Sequence, residues 1–206
     1  MGISNRDIDS ARSLSRPAAM RDADIRPALW AWVKAKYAHD TSTAFYEEFA
    51  IPRPSARADL AVVNGAMVGY EIKSDVDSKD RLHLQIRSYA HVFDKMYLVT
   101  TKARREYFAS LIPDWWGIML VSPDGDMKIL RRARHNVEVS ICNVLYLLNL
   151  TELKSVAKAL RVRTVGVTLR GDIISLIAVS KRSRVIRAEV RRCLKERAPL
   201  IRPRLP

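Results

Sequence analysis

The stretch RADLAVVNGAMVGYEIK, residues 57–73, decides the predicted fold. Two strand-like apolar runs flank Asn64-Gly65, and an Asn-Gly pair in that setting is the strongest short-range signal of a β-hairpin. Because successive side chains of a strand point to opposite faces, Glu71 and Lys73 share one face, and Val68, Tyr70 and Ile72 occupy the other. The stretch therefore predicts a central hairpin that carries charged groups on one face.

The length of the turn decides on which face Asp59 lies. A two-residue turn pairs Asp59 with Tyr70, on the face away from Glu71. A three-residue loop over 63–65, whose last residue is a bulge glycine, places Asp59 opposite Gly69 and on the face of Glu71.

Two carboxylates on neighbouring strands repel each other and are costly to bury unless a cation lies between them. Asp59 and Glu71 therefore suggest a site for a divalent metal that prefers oxygen ligands, with Lys73 completing the charge balance. This hypothesis requires the three-residue loop or another irregularity that shifts the register by one. Gly69 would then leave room for a metal or a phosphate.

The remaining pattern predicts an α/β fold with a mixed central sheet flanked by helices and a helical C-terminal extension. The predicted elements are a helix over 21–39, a strand over 44–51, a helix over 80–93, a strand over 95–100, a helix over 102–111, a hairpin over 117–131 and helices after about 137. We divide the chain into a mobile polar lead (1–18), an α/β core (19–136) and a basic helical region (137–206).

Charge and composition indicate a globular protein with a polyanionic partner. The chain has 206 residues, of which 48% are hydrophobic, and a net charge of +14. That composition excludes a collagen-like or wholly disordered chain. Residues 151–206 carry 15 basic and 4 acidic side chains, which favours contact with nucleic acid over a merely solvated basic face.

Other signals predict a reduced, cytoplasmic protein that does not contact a membrane. Cys142 and Cys193 have no C-x-x-C partner, so neither a disulfide framework nor a zinc site is expected. The first twenty residues lack the apolar segment of a signal peptide. The longest apolar run, residues 141–150, is too short to span a bilayer.

Asp59 followed by Glu71-Ile72-Lys73 resembles the Asp…Glu-x-Lys signature of the PD-(D/E)xK nuclease superfamily, which has the restriction-endonuclease-like fold. The leading Pro-Asp of that signature is Ala58-Asp59 here. Gln85 and Tyr89 match the Q-x-x-x-Y element of exonuclease-type members, and their i, i+4 spacing places both on one face of a helix.

A longer string is similar to a narrower group of small bacterial and phage proteins known mainly by a locus-tag name. The string is Gly69-Tyr70-Glu71-Ile72-Lys73-Ser74-Asp75, Arg81-Leu82, Gln85, Tyr89, Phe93-Asp94 and Ile112-Pro113-Asp114-Trp115-Trp116-Gly117. This resemblance covers roughly residues 20–150.

The resemblance implies a nuclease that hydrolyses DNA with Mg²⁺ or Mn²⁺. Asp59, Glu71 and the backbone carbonyl of Ile72 would hold the metal, Lys73 would orient the attacking water, and Glu48 would supply a further acidic group. Gln85 and Tyr89 would position substrate or Lys73.

Simpler interpretations stay open for several of these residues. The charged hairpin residues can form a surface salt bridge, and Glu47 can face inward in place of Glu48. Gln85 can be a helix-surface hydrogen-bonding group and Tyr89 a core aromatic residue.

The C-terminal region also has two interpretations. Its apolar pattern loosely resembles helix–extension–helix DNA-binding modules of the SAP type, and it equally fits a helical subdomain packed on the core. The final predicted helix, residues 181–197, carries basic residues that suit phosphate contacts. Two alternatives to a nuclease remain: a catalytically silent DNA-binding or assembly protein of the same fold, and a basic scaffold that binds a protein partner.

Overall fold

The computed structural model describes residues 18–52 and 55–198. Their helices and strands are α1 (Asp22–Lys36), β1 (Ala44–Pro52), β2 (Ser55–Val63), β3 (Met67–Lys73), α2 (Leu82–Ala90), β4 (Lys95–Thr101), α3 (Arg105–Ala109), β5 (Gly117–Val121), β6 (Met127–Arg131), α4 (Ile141–Leu145), α5 (Leu150–Ala159), α6 (Arg170–Ser180) and α7 (Ser183–Arg197).

The six strands form one mixed sheet in the order β1-β2-β3-β4-β5-β6. The pairs β1–β2, β2–β3 and β5–β6 are antiparallel, whereas β3–β4 and β4–β5 are parallel. Each parallel pair is joined through a helix, as a parallel connection requires. The predicted class, a mixed α/β sheet flanked by helices with a helical C-terminal extension, is confirmed.

An apolar layer covers each face of the sheet. On one face α1 buries Ile25, Leu29 and Val33, which belong to the same cluster as Leu60 and Ile72 of the sheet. On the other face α2 and the C-terminal helices bury a larger cluster. The central strand β3 is buried along its whole length, because both of its faces are covered.

The C-terminal helices pack directly on the sheet. Leu153, Ile174 and Val190 of these helices lie in the same apolar cluster as Val63 of β2. Arg187 of α7 also forms an ion pair with buried Asp94, which precedes β4. The proposed boundaries of 19–136 and 137–206 stay a prediction, and the two regions share one core.

The helix predicted over 102–111 is shorter in the structure, where α3 spans only Arg105–Ala109. The predicted helix over 80–93 corresponds to α2, which ends at Ala90. The proposed lead over 1–18 lies outside the described residues, except for Ala18. Among the described helices, none has both the length and the apolar character needed to cross a bilayer.

The central hairpin has a three-residue loop, but the predicted position of this loop was wrong. Val63 pairs with Met67, so the loop is 64–66 and not 63–65. Gly65 does not adopt a left-handed conformation and is not a bulge residue. The loop nevertheless has an odd number of residues, as the metal-site hypothesis required.

The role predicted for Gly69 was also wrong. The register that pairs Leu60 with Tyr70 brings Asp59 level with Glu71, and Gly69 pairs with Ala61 instead. A Cβ on Gly69 would lie 2.2 Å from the Met96 Sδ. The missing side chain of Gly69 therefore allows close packing and does not leave space for a ligand.

Candidate active site

A matched irregularity in β1 and β2 brings Glu48 to the site. Regular pairing runs up to Glu47↔Leu60 and resumes at Phe49↔Ala58, so Glu48 and Asp59 are skipped together. Glu48 has a φ of 49°, a left-handed conformation that is uncommon and strained for a residue with a side chain.

The irregularity changes which face of the sheet each side chain meets. Tyr46 and Phe49 are three residues apart, yet both pack on the cluster beneath the C-terminal helices; Ala61 and Ala58 of β2 do the same. Regular alternation would have placed the members of each pair on opposite faces.

Asp59 lies where β2 and β3 separate. Regular pairing of these strands ends at Leu60↔Tyr70. Beyond that point the Ile72 backbone N–H donates to the Asp59 Oδ2 at 2.7 Å, so a side-chain carboxylate replaces a backbone acceptor. This bond holds the Asp59 carboxylate beside β3.

Glu71 is the most enclosed charged group of the site, with a side chain that is 3% exposed. The Lys73 ammonium donates to its Oε1 at 2.7 Å and the Gln85 amide to the same oxygen at 2.6 Å. The Tyr89 hydroxyl donates to its Oε2 at 2.7 Å. All three donors therefore stabilise a carboxylate that has little access to water.

The side chains of α2 and β3 form a connected network. Lys73 also donates to the Gln85 Oε1 at 3.1 Å, so Gln85 bridges Glu71 and Lys73. The hydroxyl of Tyr89 also lies 2.6 Å from the Arg57 carbonyl, which links α2 to β2. The ring of Tyr89 stacks on buried Trp116.

Arg26 of α1 pairs with three acidic side chains at the same site. Its Nη2 lies 2.9 Å from the Asp59 Oδ1 and 3.3 Å from the Glu48 Oε1. Its Nε donates to the Asp22 Oδ1 at 2.7 Å, and Nη2 donates to Asp22 Oδ2 at 2.9 Å. Arg57 is a second, more exposed partner of Glu48, at 3.5 Å.

Burial is the largest cause of the raised pKa of both carboxylates, Asp59 and Glu71. Burial, followed by the charge of Asp59, raises the pKa of Glu71 from 4.5 to about 7, although Lys73 opposes the shift. Burial also raises the pKa of Asp59, against the effects of the Ile72 N–H and Arg26. The pKa of Tyr89 is raised by its own burial and by the charge of Glu71, so its hydroxyl remains a donor.

The two carboxylates, with Lys73 and Gln85, line one open, polar cavity of about 640 Å³. Its lining residues include Asp22, Glu48, Arg57, Asp59, Glu71, Ile72, Lys73, Asp77, Arg81 and Gln85. The cavity is therefore bordered by α1, α2 and the three strands β1–β3.

The structure brings together all of the residues singled out from the sequence. Glu48 lines the cavity, whereas Glu47 contacts the indole N–H of Trp30 and not the cavity. Gln85 and Tyr89 both reach Glu71 from one face of α2.

Sequence reasoning missed Arg26 as a member of the site and treated Asp22 only as a helix-start signal. The local signal was their i, i+4 spacing, which favours an ion pair on one helix face. The sequence alone does not reveal that this helix packs on the sheet close enough for Arg26 to reach Asp59.

Within residues 18–52 and 55–198, no group of three or more His, Cys, Asp or Glu side chains could hold a metal ion. Mg²⁺, however, keeps several waters and is commonly bound through one or two carboxylates. Asp59 and Glu71 supply two hard oxygen donors whose mutual repulsion a divalent cation would relieve. The donor set therefore fits a hydrated Mg²⁺ or Mn²⁺.

The fold and the cavity define a mixed α/β protein with a buried carboxylate–lysine pair. The chain belongs to the bacteriophage P4 protein cII family, whose family model matches residues 16–199.

Two individual proteins show more limited similarity. Protein cII of Enterobacteria phage P4 is 35% identical over 80 residues, which are 39% of this chain and only 30% of that protein. A solved structure, the SPO1766 protein of unknown function from Silicibacter pomeroyi, aligns with a TM-score of 0.41 and 19% identity. That alignment covers 71% of this chain and 94% of the other.

Proposed function

We propose that this protein is a nuclease of restriction-endonuclease-like fold that hydrolyses DNA phosphodiester bonds with Mg²⁺ or Mn²⁺. One observation supports the proposal most strongly: the carboxylates of Asp59 and Glu71 and the ammonium of Lys73 line one open polar cavity. The Asp…Glu-x-Lys signature that the sequence resembles needs this convergence.

Asp59, Glu71 and the backbone carbonyl of Ile72 would hold the metal. When bound, such an ion polarises the scissile phosphate and lowers the pKa of a coordinated water. Glu71 receives three hydrogen bonds that favour its ionised form. Glu48 supplies a further carboxylate at the rim of the same cavity.

Lys73 orients the attacking water and offsets the negative charge that develops on the phosphate. Its ammonium is held by Glu71 and Gln85, so little rearrangement is needed when the substrate enters. Gln85 and Tyr89 act as positioning residues, because their contacts are to Glu71 and Lys73.

The basic C-terminal region supplies contacts to the DNA backbone. Several cations of α7 are already paired within the protein: Arg187 with Asp94, Arg192 with Glu189 and Glu196, and Arg197 with Glu152. Lys181, Arg182 and Arg184 are exposed and have no acidic partner among the described residues. We assign the phosphate contacts to these three side chains, near the junction of α6 and α7.

We also place the protein in the cytoplasm, where its two free cysteines would remain reduced.

A catalytically silent DNA-binding protein of the same fold is the second candidate. The observation that favours it is Arg26, which already neutralises Asp59 and Glu48. Such a protein would bind DNA but would not need a metal.

Two substitutions separate these candidates. Asp59→Asn and Lys73→Ala should each lower the rate of plasmid cleavage by at least about 10²-fold, because Asp59 would hold the metal and Lys73 offsets the charge that develops on the phosphate. DNA binding, measured by fluorescence anisotropy, should persist in both variants.

Lys128→Ala is the matched control, since this exposed lysine lies on β6 at the far edge of the sheet. Retained cleavage in Asp59→Asn and Lys73→Ala would reject the nuclease assignment. DNA binding without cleavage by the unmodified protein would favour the silent candidate.

A further inference from the structure

Arg26 is the cation that pairs with Asp59 and Glu48 at the site. The Arg26 side chain is only 24% exposed, and its guanidinium contacts Asp22, Glu48 and Asp59. Burial lowers the pKa of Arg26, but Asp22 and Asp59 outweigh burial and raise it, so this charge is permanent.

The oxygens of Asp59 show what a metal would have to displace. Asp59 Oδ2 accepts from the Ile72 backbone N–H, and Oδ1 accepts from Arg26 Nη2. The Arg26 Nη1 also donates to the Asp59 backbone carbonyl at 3.3 Å. A cation that approaches Asp59 therefore meets the positive charge of Arg26 at the same carboxylate.

Asp22 offers Arg26 a place to remain when it leaves Asp59. It lies one turn earlier on α1 and receives two hydrogen bonds from the guanidinium, through Nε and Nη2. Paired donation of this kind has a fixed geometry and is among the stronger charged contacts. Arg26 can thus give up Asp59 and Glu48 and keep Asp22.

We propose that Arg26 is a displaceable counter-ion that competes with a divalent cation for Asp59 and thereby sets the metal affinity of the site. The inference rests on the proposed metal-dependent function and adds a regulatory element to it. In the metal-free protein Arg26 neutralises the carboxylates, and on metal binding it is retained by Asp22.

The test measures Mn²⁺ binding to the full-length chain by calorimetry, together with the melting temperature in EDTA and in Mn²⁺. Arg26→Gln should bind Mn²⁺ about tenfold more tightly or better, because one opposing charge within 4–6 Å typically changes an ionic equilibrium by that much. In EDTA, Arg26→Gln should melt at a lower temperature than the unmodified protein. Addition of Mn²⁺ should raise its melting temperature by more than it raises that of the unmodified protein.

Two further variants test whether the effect is specific to the charge and geometry of Arg26. Arg105→Gln is the matched control, because Arg105 pairs with Glu106 on α3 and neither residue lines the cavity; its Mn²⁺ affinity should not change. Arg26→Lys retains the charge without the planar fork and should show a smaller gain. This variant keeps the test usable if Arg26→Gln fails to fold.

The outcomes separate this inference from the proposed function. Unchanged or weaker Mn²⁺ binding by Arg26→Gln, with clear binding by the unmodified protein, overturns the inference and leaves the metal-dependent function standing. Mn²⁺ binding by Arg26→Gln, without detectable binding by the unmodified protein, supports the inference. No Mn²⁺ binding by any variant overturns both.

Discussion

At the scale of single residues, the site combines charges that are largely buried, such as Glu71, with more exposed ones at the rim of the cavity, such as Glu48. Glu71 is buried and depends on Lys73, Gln85 and Tyr89 for its hydrogen bonds. Asp59 is only partly exposed and is held by Ile72 and Arg26. Because burial penalises ionised groups, this arrangement makes the protein sensitive to pH and to the loss of any one donor.

We expect the metal-free protein to lose stability as the pH rises from 4.5 to about 7. Burial and Asp59 raise the pKa of Glu71 to about 7, so the folded state keeps a proton that the unfolded state has released. The free energy of unfolding therefore falls through this window, by up to about 3 kcal/mol, and levels off above it.

Urea unfolding in EDTA at a series of pH values measures this effect. The Glu71→Gln variant should lack this component of the slope, because its side chain does not titrate. Glu138→Gln is the control, since Glu138 is exposed, and it should follow the unmodified protein. If the free energy of unfolding depends on pH equally in Glu71→Gln and in the unmodified protein, the pKa of Glu71 is not raised by folding.

At the scale of elements, the site depends on how closely β3 packs against its surroundings. Every residue of β3 is buried, and Gly69 lies against Met96 of β4 and Phe93. Met96 and Phe93 are themselves fully buried, so they have little room to move. The position of Glu71, two residues further along β3, depends on this contact.

Gly69→Ala should destabilise the protein by about 1–3 kcal/mol, because its new Cβ would lie 2.2 Å from the Met96 Sδ. Gly65→Ala in the hairpin loop is the control, since nothing lies within 4 Å of the position its Cβ would take. The measurement is the urea midpoint at constant m-value. If Gly69→Ala is as stable as Gly65→Ala but fails to cleave DNA, Gly69 serves the ligand and not the packing.

The hairpin was predictable because its signals are local. Asn64-Gly65 and the alternation after it predicted the hairpin and the shared face of Glu71 and Lys73. The face of Asp59 depended on the length of the turn, and only the metal-site hypothesis required three residues there; the loop has three residues but is shifted by one from the predicted position. The irregularity at Glu48 was not predictable, because nothing in the local sequence marks a left-handed glutamate. Arg26 was missed for a different reason: its contact with Asp59 joins residues 33 positions apart through the packing of α1.

At the scale of the whole molecule, the basic C-terminal helices are part of the same packed structure as the site. They share a core with the sheet, and Arg187 fixes α7 to Asp94. The sequence located the basic region but could not separate its exposed cations from those that pair within the chain. That distinction depends on tertiary contacts such as the one between Arg197 and Glu152.

DNA binding should weaken steeply with salt. If about six phosphates are neutralised, the logarithm of the binding constant falls with a slope of roughly −5 against the logarithm of the salt concentration. A double variant, Arg182→Gln and Arg184→Gln, should reduce the magnitude of that slope by about 2, because it removes two exposed cations. Anisotropy titrations at several salt concentrations give the slope.

Arg192→Gln is the control for this measurement. Arg192 is already paired with Glu189 and Glu196, so its loss should leave the slope almost unchanged. If the double variant and the control have the same slope, the junction of α6 and α7 does not contact phosphates.

We have proposed that Asp59, Glu71 and Lys73 perform metal-dependent cleavage of DNA. The most direct measurement incubates the purified full-length chain with supercoiled, linear and single-stranded DNA in EDTA, Mg²⁺ or Mn²⁺, alongside Asp59→Asn. We predict cleavage of at least one substrate in Mg²⁺ or Mn²⁺, none in EDTA, and none by Asp59→Asn. Folded protein that binds DNA and cleaves no substrate in either metal, or equal cleavage by Asp59→Asn, would contradict the claim.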